Sequence, residues 1–239
     1  MRPLLTMRWE HLLFLHWPVD PDRVGETLPE GLSVATHDGR AWLGVVAFTM
    51  PDIRPRGSPY GLSFHEVNLR TYVRPESGGP KGVYFYNLDA NDWLGVLGAR
   101  AAFRLPYYHA EMRLSRVDAD TTGGSVDHDP TFRFLSRRRH PGADPARVDL
   151  VFRPTGDPAP GEPGSLDEFL AENYRFYTGS RPWYCEIRHD PWPLQSAAVT
   201  VRENGLFEAN GFEPPEGDPL VHYTAALDVR AGRLRRVDD

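Results

Sequence analysis

Four polar side chains recur at every second position of one strand-like segment, and their types suit acid–base chemistry on an anionic ligand. Within residues 64–74, Glu66, Asn68, Arg70 and Tyr72 alternate with mostly apolar and β-branched residues. An arginine guanidinium binds a carboxylate or phosphate through paired donors. A carboxylate serves as a general acid or base when burial raises its pKa. The segment therefore carries the groups that a site for a small anionic metabolite needs.

Whether this polar face has a functional role depends on whether it is exposed to solvent or enclosed in a barrel. On an open sheet the face would be solvated, and its residues would have no further role. In a small barrel, one face of every strand points into the lumen. The carboxylate, amide, guanidinium and phenol would then converge on an enclosed site. The residues alone leave both interpretations open.

Composition excludes several classes of protein. The chain has 239 residues, a formal charge of −6 and one cysteine. A net acidic chain lacks the basic face of a nucleic-acid binder, and one cysteine excludes an intramolecular disulfide framework. No apolar stretch approaches the length of a membrane-spanning helix. We expect a cytoplasmic protein with neither a nucleic-acid nor a membrane partner.

Lysine is almost absent. Of the 27 basic residues only one is a lysine, Lys81, and the rest are arginines. Arginine stays protonated and cannot act as an amine nucleophile, so Schiff-base chemistry has one candidate. Lys81 lies in a Gly-rich turn, where a solvated side chain is expected. Cys185 lies in a strand-like run, where a buried, inert thiol is expected.

Standard catalytic motifs are missing from the sequence. It contains no GxSxG elbow, no GxGxxG, no phosphate-binding P-loop and no HExxH. The histidines form no familiar metal-binding spacing. We therefore predict neither a metal nor a cofactor.

Alternating segments dominate the chain and predict a mainly β fold. The pattern predicts one domain over residues 1–239, a barrel or curved sheet with a few short helices laid against it. An Asp38-Gly39 pair predicts a hairpin turn. Strands are expected at 1–17, 42–50, 64–74, 83–89, 107–117, 131–137, 148–153, 183–188, 197–202 and 220–229.

Helix signals are few. Asp20 followed by a proline predicts a helix that reaches Leu28. Asp89 or Asn91 is expected to cap a second helix that ends near residue 103. Ser165, with a glutamate three residues later, forms the pattern of a capping box. Residues 154–164 are mostly proline and glycine and predict a loop that either links elements or covers a site.

Several longer segments resemble a known family, the YqjF-like family of uncharacterised prokaryotic proteins within the acetoacetate decarboxylase-like superfamily. The resemblance runs almost from end to end. It rests on LFLHWPV at 13–19, LPEGL at 28–32, DGRAWLG at 38–44, EVNLRTYV at 66–73, LPYY at 105–108, PGSLDEFL at 163–170 and HDPWPLQ at 189–195.

The resemblance implies a fold and a mechanism to test. The superfamily implies a largely antiparallel β-barrel around a small-molecule pocket. Its decarboxylases use a lysine in a Pro-Lys-Lys run to form a Schiff base with a β-keto acid. Both corresponding positions here are tyrosines, Tyr107 and Tyr108, so that reaction is not expected. The acidic pocket residue corresponds to Glu66. The carboxylate-binding arginine corresponds to the region of His16, so Arg70 is the candidate replacement.

Three functions remain open. In the first, the protein is a lyase- or isomerase-type enzyme acting on a carboxylate or carbonyl compound, with Glu66, Tyr107 and Tyr108 as catalytic residues. In the second, the same pocket only binds a metabolite. In the third, a plugged barrel serves a structural role. The expected ligand-binding residues are Arg70, Asn68, Tyr72, Tyr84 and His16, and a homo-oligomer is possible by resemblance.

Overall fold

The computed structural model describes residues 2–117, 130–180 and 182–237. In these ranges the chain forms twelve strands, three α-helices and a single 3₁₀ turn. The strands are β1 Leu5–Val19, β2 Leu32–Val34, β3 Ala41–Pro55, β4 Leu62–Pro75, β5 Gly82–Ala90, β6 Tyr107–Val117, β7 Thr131–Arg138, β8 Arg147–Ala159, β9 Arg175–Thr178, β10 Trp183–Arg188, β11 Leu194–Asn204 and β12 Leu220–Arg236. The helices are α1 Pro21–Gly25, α2 Trp93–Phe103 and α3 Leu166–Ala171, and the 3₁₀ turn is Glu208–Asn210.

All twelve strands belong to one sheet that closes on itself twice. The order β10-β9-β5-β6-β7-β8-β11-β12-β1-β3-β4-β2 is supplemented by β10–β12 and β5–β4 pairings. We call the path β12-β1-β3-β4-β5-β9-β10 the first ring. The path β12-β1-β3-β4-β5-β6-β7-β8-β11 is the second ring. Strands β12, β1, β3, β4 and β5 belong to both.

Side chains of the shared strands alternate between two separate hydrophobic cores, one in each ring. On β1, Leu12 and Phe14 belong to the core of the first ring, whereas Leu13 and Leu15 belong to the core of the second. Successive side chains of a strand point to opposite faces, so one strand serves both rings. The β4 face with Glu66 and Asn68 is buried rather than solvated, because it points into the first ring.

The predicted mainly β fold with short flanking helices is confirmed. Most strand pairs are antiparallel, but β5 pairs with both β6 and β9 in parallel. A parallel neighbour requires a crossover, which α2 provides between β5 and β6. The Asp38-Gly39 turn is present, with positive φ at both residues and an isolated bridge between His37 and Arg40.

Two helix caps differ from the prediction. Asp92 caps α2, its carboxylate accepting a hydrogen bond from Gly95 N at 2.6 Å. Asp89 and Asn91 are both engaged elsewhere, since Asp89 binds Arg138 and the Asn91 side chain accepts from a backbone amide on β4. Ser165 caps α3 as expected.

One further cap contact and one helix end also differ from the prediction. The Glu168 carboxylate at α3 accepts from Gly164 N rather than completing the box at Ser165. The Asp20 cap is present, but α1 ends at Gly25 instead of Leu28.

The proline-rich segment is only partly a loop. Strand β8 continues to Ala159 and pairs with β11, so the prediction of a loop over 154–164 is wrong for its first half. The pairing register is irregular there, and Gly156 has φ +73°. A bulge of this kind accommodates prolines within a strand.

Candidate functional site

The first ring encloses a cavity of about 590 Å³. Strand β4 contributes Glu66, Asn68 and Arg70 to its wall, and β6 contributes Tyr107. Much of the remaining wall is apolar and includes Leu12, Phe14, Val46, Phe48, Phe64, Phe85, Leu88, Leu105, Phe176, Ile187 and Trp192. Three β4 residues at spacing two therefore bring their polar groups into one largely apolar chamber.

Glu66 is the acidic centre of this chamber. Its side chain is buried, and both carboxylate oxygens are hydrogen-bonded. Asn68 Nδ2 donates to Oε1 at 3.0 Å, and Tyr107 Oη donates to Oε2 at 2.5 Å. Burial raises the pKa of the Glu66 carboxyl from 4.5 to about 7, although both hydrogen bonds oppose the shift. Glu66 can therefore give or take a proton near neutral pH.

Tyr107 is the only hydroxyl that contacts Glu66 among the described residues. Burial, with the nearby Glu66 charge, raises the pKa of the Tyr107 phenol well above its ordinary value. The phenol therefore remains protonated and acts as a hydrogen-bond donor. The backbone carbonyl of Tyr107 accepts from the Arg100 side chain at 2.8 Å, which ties the start of β6 to α2.

Arg70 reaches the cavity without a carboxylate partner. Among the described residues, no acidic side chain forms an ion pair with it. Its Nη2 donates a long 3.5 Å hydrogen bond to the Tyr72 hydroxyl, and its buried Nε has no partner. The guanidinium carbon lies 5.5 Å from the centre of the Phe14 ring. A half-buried guanidinium with no carboxylate partner has donors to offer to an anion, so this arrangement suits an anionic ligand.

His16 and Tyr72 lie behind Arg70 rather than in the cavity wall. His16 Nε2 and Tyr72 Oη are 2.7 Å apart, and both side chains are buried. Burial, with the nearby Arg70 charge, lowers the pKa of His16 well below its ordinary value, so the imidazole is neutral. Neither residue lines the cavity, and their predicted role in ligand binding stays a prediction. The Tyr72 hydroxyl links the two groups, because it contacts the His16 imidazole and accepts from the Arg70 guanidinium.

Gly44 explains how His16 and Arg70 fit side by side. The three residues form one row across the sheet, with Gly44 of β3 between His16 of β1 and Arg70 of β4. A Cβ atom at Gly44 would lie 2.8 Å from His16 Cδ2 and 3.5 Å from Arg70 Cγ. The missing side chain therefore makes the space that the imidazole occupies.

Tyr108 and Tyr84 do not line the cavity, contrary to the prediction. Tyr108 follows Tyr107 on β6 and so points to the opposite face, where the Arg138 guanidinium lies 4.4 Å from its ring centre. Tyr84 packs edge-on against Tyr86, with ring centres 5.4 Å apart. Strand alternation, which brings Tyr107 into the cavity, removes Tyr108 from it.

Lys81 is not the solvated side chain that the turn predicts. Its Nζ donates to the Phe169 carbonyl and, at 2.7 Å, to Asn173 Oδ1. Nζ also lies 4.4 Å from the Phe169 ring centre. Burial and the Arg70 charge lower the pKa of Lys81 from 10.5 to about 7. The amine nevertheless lies outside the cavity wall and holds α3 against the start of β5.

Sequence reasoning missed the aromatic and helical parts of the wall. Trp9 and Trp192 stack with ring centres 5.9 Å apart, and both line the cavity. Helix α2 contributes Leu94, Ala99 and further residues, although its sequence gave no sign of a site. The only available signal was the HDPWPLQ run that contains Trp192. Over the described ranges, no group of three His, Cys, Asp or Glu side chains is suited to hold a metal ion.

Comparison with known proteins identifies the family. The model of the DUF2071 family, described as "Uncharacterized conserved protein", matches residues 6–228. The chain belongs to this family. The Uncharacterized protein YqjF of Bacillus subtilis (strain 168) is 36% identical over 238 residues, a match that covers 98% of this chain and 92% of that protein.

Solved structures with similar folds are acetoacetate decarboxylase-like proteins. An acetoacetate decarboxylase-like enzyme from Sphingomonas wittichii RW1 has a TM-score of 0.63 and 16% identity, covering 99% of this chain and 94% of its own. The enduracididine biosynthesis enzyme MppR complexed with pyruvate has a TM-score of 0.65 and 14% identity, covering 99% and 91%. At such identities the likeness establishes the fold alone. No helix in the described part of the chain is both long and apolar enough to cross a membrane.

Proposed function

We propose that this protein is an acid–base enzyme of lyase or isomerase type that acts on a carbonyl-bearing carboxylate without a Schiff base. The observation that carries the proposal is the meeting of Glu66, Tyr107 and an unpaired Arg70 in one cavity. Arg70 supplies an anchor for the ligand carboxylate, and Glu66 has a pKa of about 7, near the optimum for proton transfer.

The proposed step is proton removal next to a carbonyl group. The Glu66 carboxylate takes a proton from the carbon beside the ligand carbonyl, and the electron pair of that C–H bond moves into an enolate. Glu66 returns the proton to either face of the same carbon, or the enolate electrons form a C=C bond while a leaving group departs from the next carbon with its bonding electron pair. Tyr107 and Asn68 keep the Glu66 carboxylate oriented during the transfer.

Hydrogen exchange in D₂O tests this step directly. We expect the protein to speed the exchange of the protons beside the carbonyl of a 2-oxo or 3-oxo acid, followed by proton NMR. Glu66→Gln should lower the exchange rate by at least about 100-fold, the usual contribution of general acid–base catalysis. Tyr108→Phe is the matched control, because Tyr108 lies outside the cavity, and it should keep the wild-type rate.

A non-catalytic metabolite-binding barrel is the second candidate. Both Glu66 oxygens already accept hydrogen bonds, which is the arrangement expected of a residue that only orients a ligand. The exchange experiment separates the two functions. If wild type binds an oxo acid but exchanges no faster than Glu66→Gln, the protein is a binder. The open cavity of about 590 Å³ argues against a plugged barrel.

The relatives support an oxo-acid ligand. MppR appears in its structures with pyruvate and with the condensation product of pyruvate and imidazole 4-carboxaldehyde. Acetoacetate decarboxylase from Legionella pneumophila shares the fold, with a TM-score of 0.60. Pyruvate and acetoacetate both combine a carboxylate with a nearby carbonyl. A cytoplasmic location and a homo-oligomeric state stay predictions from the sequence and the resemblance.

A further inference from the structure

The cavity is long, and the polar and apolar residues that β4 contributes to its wall are separated along the strand. Five residues of β4 at spacing two line it in order, from Leu62 and Phe64 through Glu66 and Asn68 to Arg70. A strand rises roughly 3.3 Å per residue, so this row spans about 26 Å. The first two positions are apolar, and the last three are polar. The chamber is therefore an elongated apolar tunnel with its anion anchor towards one end.

Strand β1, on the other side of β3 from β4, contributes only apolar side chains to the wall. Leu5, Met7 and Trp9 line the part beside the apolar end of β4, and Phe14 lies against the Arg70 guanidinium. Because β1 and β4 are both paired with β3, their apolar ends lie at the same edge of the sheet. Among the described residues, no side chain fills the cavity in front of this apolar surface.

The apolar end opens to solvent between α2 and the segment joining β3 to β4. Tyr60 is 82% exposed and Leu94 is 68% exposed, and both line the cavity. Apart from Leu94 and Phe103, the α2 residues that line the cavity are small: Gly95, Gly98, Ala99 and Ala102. A Cβ atom at Gly98 would meet nothing within 4 Å. Small side chains there leave room for a ligand to pass the helix.

We propose that the ligand is an amphipathic acid, with a carboxylate at Arg70 and a medium-length apolar chain extending towards Tyr60 and α2. The inference rests on the proposed function, because it assigns the substrate class of the same site. A ligand as small as pyruvate would leave most of the apolar wall in contact with water. Burial of an alkyl chain removes that wall from water, with a gain for each methylene group.

Binding of saturated acids by isothermal titration calorimetry tests the chain-length claim without turnover. Wild type should bind octanoate at least about tenfold more tightly than butanoate, since each buried methylene adds to affinity. Octan-1-ol, which lacks the carboxylate, should bind at least tenfold more weakly than octanoate. Arg70→Met should weaken both acids, because it removes their shared anchor.

Variants on α2 separate the apolar tunnel from the anion anchor. Gly98→Leu places bulk in the open space beside the helix and should weaken octanoate at least tenfold while leaving butanoate unchanged. Ala99→Phe, at the adjoining wall position, provides a second block if the first variant fails to fold. Leu97→Phe is the matched control, because Leu97 is exposed on the same helix but does not line the cavity.

The outcomes distinguish the two proposals. Equal affinity for butanoate and octanoate, or octanoate binding that Gly98→Leu and Ala99→Phe leave intact, overturns the amphipathic ligand while the carboxylate site stands. Tight binding of octan-1-ol with no loss in Arg70→Met overturns the carboxylate anchor and, with it, the proposed function. Loss of octanoate alone in the blocking variants supports the tunnel.

Discussion

Arg138 and Arg70 lie on opposite faces of the β4–β5 pair and differ in how many partners the chain gives them. In the second ring, Arg138 forms a closed ion pair with Asp89, with Nη2–Oδ1 at 2.8 Å and Nε–Oδ2 at 2.9 Å. Its Nη1 donates to the Asp144 carbonyl, and its side chain is 3% exposed. In the first ring, Arg70 has one long hydrogen bond and a buried Nε with no partner.

The polar groups around Asp89 find their hydrogen-bond partners within the protein. Asn87 Nδ2 donates to Asp89 Oδ1 at 2.9 Å, and Asn210 in turn donates to Asn87 Oδ1 at 2.7 Å. Such a network locks a packed core and leaves nothing for a ligand to bind. Arg70 faces a cavity, and among the described residues its side chain makes only the long hydrogen bond to Tyr72. The two arginines therefore differ both in burial and in the number of partners that the chain supplies.

The largest expected effect is on stability, from removal of each arginine in turn. Arg138→Met should lower the free energy of unfolding by about 3–5 kcal/mol, because it leaves Asp89 buried without a counter-charge. Arg70→Met should change it by less than about 1 kcal/mol, since no partner is stranded. Urea unfolding followed by tryptophan fluorescence measures both. Equal losses in the two variants would erase the distinction between the arginines.

Ionisation of Glu66 should make the stability of the protein depend on pH. Its pKa is about 7 in the folded protein and 4.5 when unperturbed. Between these values the folded state holds the proton more strongly, so this group makes the protein less stable as pH rises from 4.5 to 7. Glu66→Gln removes that penalty and should gain up to about 3 kcal/mol relative to wild type at pH 8.

The gain should disappear near pH 4.5, where wild-type Glu66 is already neutral. Unfolding curves at both pH values provide the measurement, and Glu111→Gln on the surface is the matched control. A gain that is the same at pH 4.5 and pH 8 would mean that Glu66 is not an ionising group with a raised pKa.

Gly44 tests whether the row behind Arg70 is tightly packed. Gly44→Ala should cost about 1–3 kcal/mol, because the new Cβ overlaps the His16 ring. Gly98→Ala, in open space within α2, should instead stabilise the protein by about 0.5–1 kcal/mol through helix propensity. Thermal unfolding compares the pair. A neutral Gly44→Ala would show that His16 can move without loss.

The smallest expected effect is an absence of reaction at Lys81. Borohydride treatment with acetoacetate should give no adduct mass at Lys81, although its pKa is about 7. The amine is hydrogen-bonded to Phe169 and Asn173 and lies outside the cavity wall. Mass spectrometry of the digested protein detects an adduct, and its appearance at Lys81 would restore Schiff-base chemistry to this protein.

The sequence by itself predicted ten of the twelve strands of the described ranges and missed the two short ones, β2 and β9. Period-two alternation located β4 and the residues Glu66, Asn68 and Arg70, because strand geometry is local and its side-chain period is fixed. The resemblance to acetoacetate decarboxylases also drew attention to Tyr107 and Tyr108, because it implies lysines at these two positions. The sequence did not predict that Asp92 caps α2. Several possible acceptors lie close together before this helix, and only packing selects among them.

The tertiary structure decided which of these residues line one cavity. Closure of the β4–β5 and β10–β12 pairings encloses the polar face of β4, and those contacts join residues far apart in sequence. The parallel β5–β6 register places Tyr107 beside Leu88, from where it reaches Glu66, and turns Tyr108 towards Arg138. The burial of Lys81 under α3 arises in the same way. Alternation is encoded locally, but which face becomes an interior depends on long-range strand pairing.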